Sequence, residues 1–414
     1  MANSLSASFA DYWSRRMQVT NYRKAVYRAI VSMEEQSTLT KGDTVHRPYR
    51  STLAVRTYTR GTAVIIRDIT DTDESLTVNV SKVVPFYVDD LDAIQHNYKV
   101  LNEYADDCSE ILTNFIDGDV LGEYANATSK VDNFEINAGT AGDGFTLTTS
   151  NVLNVLVQAK KKLQKQNIRG GLTNLFGVIS PEFESILLTF LANRETPNGD
   201  LVGKNGYTIS YMGFDFYVSN GCSFSAVLSM PTILVDTDTI TINGVVFTAD
   251  GDGAAVGAGH FSIQTTADLC RAQLVDAINN SEGYAASAGA VDTYIEITAA
   301  NRDLMDGIVA TNDNTADTLT IKCEGVGVIA VSEGATPADC VWTAATQIQH
   351  NLFGKRGAID LVIQARPKVE IKEVPDKLGK NVLPWTLYGL KTFTEGAKQL
   401  VDIRVRADSG QGAF

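Results

Sequence analysis

At 414 residues, with 44% hydrophobic and 20% charged residues, the chain has material for roughly two or three cored domains, which excludes a disordered polymer. No apolar run approaches the roughly 18 residues that span a bilayer, and the opening "MANSLSASFADYWSRR" lacks the early positive charge and continuous apolar stretch of a signal peptide. The net charge of −14 is concentrated: residues 225–345 hold sixteen acidic and three basic residues, while residues 1–60 hold ten basic and four acidic, so an acidic body is joined to a basic arm.

Residues 9–35 are expected to be helical, with Phe9, Trp13 and Met17 four apart and Arg15, Arg16, Arg23, Lys24 and Arg28 on a basic face. Such a face suits solvent, a packed partner or DNA. From 44 to 88 the period changes. The runs "TLAVRTYTRGTAVIIRDI" and "ESLTVNVSKVVPFYV" are rich in Val, Ile, Thr and Tyr and are broken by Gly61 and "TDTDE", which predicts a long β-hairpin or meander. Arg47, Arg50, Arg56, Arg60 and Arg67 recur along it. A hairpin of this length cannot bury both faces alone and must lie on something, another subunit included.

Apolar or small residues at Leu91, Ile94, Tyr98, Leu101, Ala105, Cys108, Leu112 and Phe115 alternate spacings of three and four, predicting a helix over 89–125, a rod of roughly 50 Å. Asp89, Asp90 and Asp92 would lie at its N-terminus, where the dipole favours negative charge. The seam fits a coiled coil or, with Ala105 and Cys108 in it, a single helix lying across a sheet. After the Gly-rich "NAGTAGDGF", a second helix is expected, capped by Thr149 or Ser150, with Val152, Leu156, Ala159 and Leu163 buried. Lys160, Lys161, Lys162 and Lys165 near its end suit the dipole, as a solvated terminus or an anion contact. Leu175–Ile179 reads as a buried strand, Ser180 and Pro181 as a helix start before Phe183, Ile186, Leu187 and Phe190, and "YTISYMGFDFYVSN" as two short strands. Strands alternating with helices imply an α/β or α+β layer.

Within the acidic block, "DTITINGVVFTADGDG" pairs Ile240 with Phe247 and Ile242 with Val245 about a two-residue turn at Asn243 and Gly244, leaving Thr239, Thr241 and Thr248 on a wet face. A helix in "TTADLCRAQLVDAINN", with Thr265 and Asp268 as a capping pair, and the runs "TYIEITA" and "TLTIKC" complete a β-α-β module. It reads as an insertion at a surface turn of a host, so that excision of 226–344 should leave the rest able to fold. Beyond it, "GAIDLVIQARPKVEIKEV" and "KQLVDIRVRAD" are strands whose partners should precede the block.

No sequence signature of catalysis is present: HExxH, GxxxxGK[ST], GxSxG and a strand-linked GxGxxG are all missing. His46, His96, His260 and His350 share no metal spacing and read as surface or packing residues. The "DGDG" loop at Asp250–Gly253 departs from the EF-hand pattern at Ala254 and has no closing Glu. Asp89 and Asp90, like Asp106 and Asp107, would point apart on a helix and make poor acid/base pairs. Cys108, Cys222, Cys270, Cys323 and Cys340 form no CxxC and read as free thiols of a reducing compartment. No catalytic residue, cofactor or metal site is expected.

A basic arm leads to an Arg-studded hairpin; "VSKVVPFYVDDLDAIQHNYKVLNEYADDCSEILTNFIDGDVL" carries a strand into a long helix; "VISPEFESILL" and "GFDFYVSN" follow; "GAIDLVIQARPKVE", "YGLKTF" and "VDIRVRAD" close the chain. This order resembles that of tailed-bacteriophage major capsid proteins with the HK97-like fold, over roughly 1–224 and 346–414. The resemblance implies an α+β fold with an N-arm at 1–40 and an extended hairpin, the E-loop, at 41–87. It implies a peripheral domain with the spine helix at 88–148, an axial domain at 149–224, and return strands at 346–414 completing both. Residues 225–345, which the simplest members lack, would be an inserted acidic β-rich α+β domain facing outward, since facing packaged DNA would be repulsive.

The implied function is structural: copies gather into pentameric and hexameric capsomers of an icosahedral shell around double-stranded DNA. The hairpin arginines Arg47, Arg50, Arg56, Arg60 and Arg67 would then meet carboxylates on a neighbour. A scaffolding protein and a portal are implied partners, a decoration protein is a further candidate, contact with packaged DNA would be non-specific, and no membrane is involved. The location would be the virion capsid, and the host cytoplasm during assembly. Lys82 alone does not establish covalent cross-linking. The competing readings are a trimeric fibre or glycan-binding adhesin, a non-viral compartment shell of the same fold, and a metal-dependent hydrolase using the Asp loops.

Overall fold

The computed structural model describes residues 21–37, 39, 42–50, 53–63, 66, 68–90, 100–194, 210–251, 255, 257–263, 265–279, 294–325, 327–334, 339–374 and 378–407. In chain order, two 3-10 turns (Tyr27–Ala29 and Glu34–Gln36) precede β1 (Thr44–Arg50), β2 (Asp71–Thr77), β3 (Val80–Val83) and β4 (Phe86–Asp89). Helix α1 (Val100–Gly122), a 3-10 turn (Glu123–Asn126), β5 (Ser129–Val131), α2 (Asn133–Asn137), α3 (Val152–Lys165), β6 (Leu175–Ile179), α4 (Pro181–Ala192), β7 (Ser210–Tyr211) and β8 (Phe214–Val218) follow. The acidic block carries β9 (Phe224–Ser229), β10 (Thr239–Ile242), β11 (Val245–Asp250), β12 (His260–Ser262), α5 (Ala267–Asn279), α6 (Ala299–Arg302), β13 (Ile308–Asp313), β14 (Thr318–Cys323), β15 (Val331–Glu333) and β16 (Val341–Trp342). The return consists of β17 (Ile348–Lys355), β18 (Asp360–Glu373), β19 (Gly379–Lys391), α7 (Thr394–Ala397) and β20 (Leu400–Arg406).

A ten-stranded mixed sheet is the frame, with strands in the order β13-β14-β9-β17-β6-β8-β7 and with β16 on β9, β20 on β17 and β5 on β20. A second sheet joins β18, β19, β3 and β4; a third joins β12, β11, β10 and β15; β1 and β2 form a two-stranded ribbon. Of the two return strands expected to pair upstream of the block, β20 does so, with β5, whereas β18 ladders with β19, which in turn pairs with β3 and β4; β17 also pairs upstream, with β6.

Where local signals are strong, the elements fall on the expected residues. Ser180 caps α4 by accepting from the Phe183 N–H at 3.2 Å, Pro181 needs no partner there, and Phe183 and Leu187 are buried behind it. Val152, Leu156, Ala159 and Leu163 of α3 are buried as its spacing predicts, although the N-cap is Asn151, whose carboxamide accepts from Thr148 N–H, in place of Thr149 or Ser150. Helix α1 packs Cys108, Leu112, Ile116, Val120 and Leu121 inward and crosses β18 and β19. That contact makes its stripe a helix-on-sheet face and removes the coiled-coil reading. Asp89 ends β4, opposite Gly379, and Asp90 directly after it is helical; Leu91, Ile94 and Tyr98 lie outside the described residues.

Two expectations are overturned by tertiary contacts. The helix over 9–35 is absent from its described part, where only the two short 3-10 turns occur. The N–H groups of Val26 and Tyr27 are taken by Asp117 of α1, and Ser32 bridges to Asp360, so the backbone bonds a helix would need are spent elsewhere. Residues 53–63, 66 and 68–70 of the expected hairpin carry no strand either, because the β1–β2 ladder ends at Arg50 and Asp71.

The acidic block has its own core. Ile240, Ile242, Val245 and Phe247 are fully buried, paired Ile240 to Phe247 and Ile242 to Val245, with Asn243 and Gly244 at positive φ in the turn. Helix α5 is capped by Thr266, which accepts from Leu269 N–H, and not by Thr265; Asp268 instead pairs with Arg271. Arg271 is fully buried and also donates to the Met230 carbonyl, to Asn312 (3.2 Å) and to Asp317 (3.1 Å), tying α5 to the β13–β14 turn. Arg271→Met keeps the buried stem but strands the Met230 carbonyl, while Asp268 and Asp317 stay half in water. The expected loss in denaturant unfolding is about 2 kcal/mol.

The block is nevertheless continuous with its host. Ser225 and Ile348 are Cα partners on β9 and β17, so its two ends lie side by side, as an insertion requires. Yet β9, β14, β13 and β16 extend the host sheet, so removing 226–344 would cut β9 after Ser225 and strip β14, β13 and β16 from that edge, and not merely detach a separate body.

Candidate assembly surface

The ribbon β1–β2 runs in register from Thr44 opposite Thr77 to Arg50 opposite Asp71. Its base is fastened. Leu39, Leu76, Val78, Val362 and Phe393 form a small core there. Arg47 reaches Asp360 at 2.9 Å and Glu35 at 2.8 Å and lies over the Phe393 ring at 4.3 Å, so it clamps the ribbon to its own chain. Burial pushes the Asp360 carboxyl above the ordinary Asp range, against the pull of Arg47.

Beyond that base the surface changes character. Leu53 (72% exposed), Val55 (101%), Tyr58 (64%), Ile66 (88%) and Ile69 (69%) stand in solvent, and Arg50, Arg56 and Arg60 are exposed with them. Arg67 lies outside the described residues. Single exposed apolar residues are ordinary, but five large ones within residues 53–69 are a concentration of the kind that marks an interface. Of the five arginines singled out by sequence, the structure thus places Arg47 in an intrachain clamp and Arg50, Arg56 and Arg60 on the open arm.

Sequence reasoning missed the dock of the N-terminal arm. Asp117, fully buried in α1, accepts from the Val26 and Tyr27 N–H groups at 2.8 Å each, and Tyr27 and Ile30 pack on Ile116, Val120 and Leu121. Arg23 lies 3.8 Å from Asp117 and donates to the carbonyls of Asn114 (2.6 Å) and Gly325, the latter in the acidic block. Glycines make room: a Cβ at Gly118 would lie 3.0 Å from the Gly325 Cα, and one at Gly221 would fall on the Arg23 guanidinium. Arm, helix and block therefore meet at one point. The Gly-Asp alternation "DGD" was the sequence signal available for it.

Chemistry is sparse elsewhere. Among the described residues no group of three His, Cys, Asp or Glu could hold a metal, and no helix is long and apolar enough to cross a membrane. His46 pairs with Asp73 and His260 with Asp250; His96 lies outside the described residues. None of the five cysteines is in a disulfide and all are buried, and burial pushes the thiols of Cys222 and Cys340 up to about 12, which leaves those two unreactive at neutral pH. Lys160 donates to the Met212 carbonyl and Lys162 pairs with Glu135, so two of the clustered lysines serve internal contacts.

No protein-family model matches the chain, and no curated protein sequence matches it significantly. Solved structures do. A chain from Mycobacterium phage Che8 aligns with a TM-score of 0.57 at 14% identity, over 96% of this chain and 97% of that one. A chain from the capsid structure of Cyanophage P-SCSP1u aligns with a TM-score of 0.54 at 11% identity, over 99% and 96%. Both alignments run through the acidic block as well as the host, and at such identities what they carry is the architecture. The chain therefore has the α+β HK97-like fold of a tailed-phage capsid subunit.

Proposed function

We propose that the chain is the major capsid protein of a tailed phage, self-assembling into the shell that encloses a double-stranded DNA genome. One observation carries the reading: an arm anchored at its base by Arg47 presents five large apolar side chains and at least three arginines that its own chain does not cover. A second copy of the chain is the partner that would bury them. In this reading 1–40 is the N-arm, 41–87 the E-loop, 88–148 the peripheral domain, 149–224 the axial domain, 225–345 the inserted domain and 346–414 the return. Arg50, Arg56, Arg60 and Arg67 meet carboxylates of a neighbouring subunit, within pentameric and hexameric capsomers. The acidic block faces outward, away from packaged DNA, and a scaffolding protein, a portal and a decoration protein are the further partners. The protein assembles in the host cytoplasm, and its role is structural. The fibre reading loses its main support because the stripe of α1 is spent on β18 and β19.

Expression of the chain, with sedimentation velocity and electron microscopy across a concentration series, tests this. Capsomers, tubes or closed particles are expected. A monomer at every concentration, or a trimeric rod, would overturn it.

A further inference from the structure

On the opposite side of the molecule's chemistry from assembly, three side chains meet on adjacent strands of the central sheet. Ser225 Oγ on β9 lies 2.9 Å from His350 Nε2 on β17, and His350 Nδ1 lies 2.9 and 3.0 Å from the two carboxylate oxygens of Asp402 on β20. Register places them on one face: Ser225 is opposite Ile348, two residues before His350, and His350 is opposite Arg404, two residues after Asp402. Asp402 is fully buried, His350 nearly so, and Ser225 only half-buried. Arg404 donates from Nε to Asp402 Oδ2 at 2.9 Å and from Nη1 to the Gly142 carbonyl at 2.8 Å, which fixes the carboxylate. The Tyr124 ring stacks on the imidazole at 3.7 Å and 15°, which fixes its plane. Lys322 of β14 is the cross-strand partner of Ser225 and so shares its face.

A hydroxyl within hydrogen-bond reach of an imidazole that a buried carboxylate orients is the arrangement that activates a serine nucleophile. With the Nδ1 proton directed at Asp402, Nε2 is left to accept from Ser225. We propose that Ser225, His350 and Asp402 form a reactive-serine site for small activated acyl or phosphonyl electrophiles, at the seam between the acidic block and its host. Ser225 Oγ attacks the carbonyl carbon or phosphorus while its proton passes to His350 Nε2. The bond to the leaving group breaks, an alkoxide leaving group takes that proton, and a Ser225 ester remains; with a fluorophosphonate the leaving group is fluoride and the proton goes to water. Ser225, His350 and Asp402 are 125 and 52 positions apart in sequence and match no sequence motif, which is why only the fold assembles them.

A fluorophosphonate probe on the full-length chain, with modified serines mapped by peptide mass spectrometry, decides the matter. Ser225 is expected to react about 100-fold faster than the median of the chain's other serines, Ser225→Ala to abolish that label, and His350→Gln and Asp402→Asn to slow it at least about 10-fold. A relay with only a structural role satisfies the same hydrogen bonds but gives no such rate difference. No label on Ser225 in the native chain, a rate like that of other serines, or an unchanged rate in a folded His350→Gln variant would each overturn the proposal. Should His350→Gln fail to fold, the comparison among serines of the native wild-type chain decides alone.

Discussion

A chain carrying Val55→Asp and Ile66→Asp is expected to fold as the parent does and to lose assembly. Both side chains stand almost wholly in solvent, and neither belongs to any of the four hydrophobic clusters of the described residues. Substitution therefore removes nothing that holds the subunit together, and the thermal midpoint should stay within about a degree or two of the parent. If the arm is the assembly contact proposed above, the same side chains are buried against a neighbour in the shell. Each buried Val or Ile contributes about 1.5–3 kcal/mol, so losing two weakens each arm contact by at least about 3 kcal/mol. That corresponds to a rise of about 100-fold in the concentration at which particles first form, before any cost of burying the new carboxylates. Light scattering against concentration, with melting of the same samples, reads both arms of the statement. Particles at the parental concentration would remove the apolar arm from the assembly contact. A lowered melting point would mean the arm packs on its own chain.

Much of this architecture was legible because several elements announce themselves locally. Ser180-Pro181 marks a helix start whatever surrounds it, and Asn243-Gly244 between alternating apolar runs admits little but a tight hairpin. The stripe of α1 was visible, and the sheet that covers it followed from the strands downstream. What stayed hidden depends on contacts between distant segments. The basic residues of 15–28 have helical spacing, but one buried acid, Asp117, captures two of the backbone donors that a helix would use. Val55 and Ile66 look like strand residues, yet a strand exists only where a ladder partner faces it. The charge step near 225 is real, but charge reports what is exposed, whereas sheet continuity from β17 through β9 to β13 is a property of buried backbone. At the assembly surface, the arginines were found by periodicity, which cannot tell the clamped Arg47 from the free-standing Arg56 and Arg60. The Arg23–Asp117 dock and the Ser225–His350–Asp402 relay carried no periodic signal at all.

Asp117→Ala is expected to release the N-terminal arm. The carboxylate serves two amide donors and faces Arg23 at 3.8 Å, all at a fully buried position. Deleting it strands both N–H groups and leaves a largely buried guanidinium without its counter-charge, a loss of about 3–5 kcal/mol. Because Arg23 also holds the Gly325 carbonyl, the edge of the acidic block should loosen with the arm. Trypsin should then cut at Arg23, Lys24 and Arg28 in the native variant, sites the parent protects through the burial of Val26 and Tyr27. Asp117→Asn separates geometry from charge, since its carbonyl oxygen can still accept from both amides. Burial pushes the Asp117 carboxyl above the ordinary Asp value, against the lowering pull of Arg23 and the two amides. A carboxyl raised in the folded state holds its proton more tightly there than in the unfolded chain, so it adds stability in acid and gives that up as pH rises. From about pH 4 upward, the stability of the parent should therefore fall relative to that of Asp117→Asn, levelling off once the folded carboxyl is fully ionised. A pH-independent difference between the two would show that the Asp117 carboxyl binds its proton equally in the folded and unfolded chain. Parental protease resistance in Asp117→Ala would show that apolar packing of Tyr27 and Ile30 alone suffices to hold the arm.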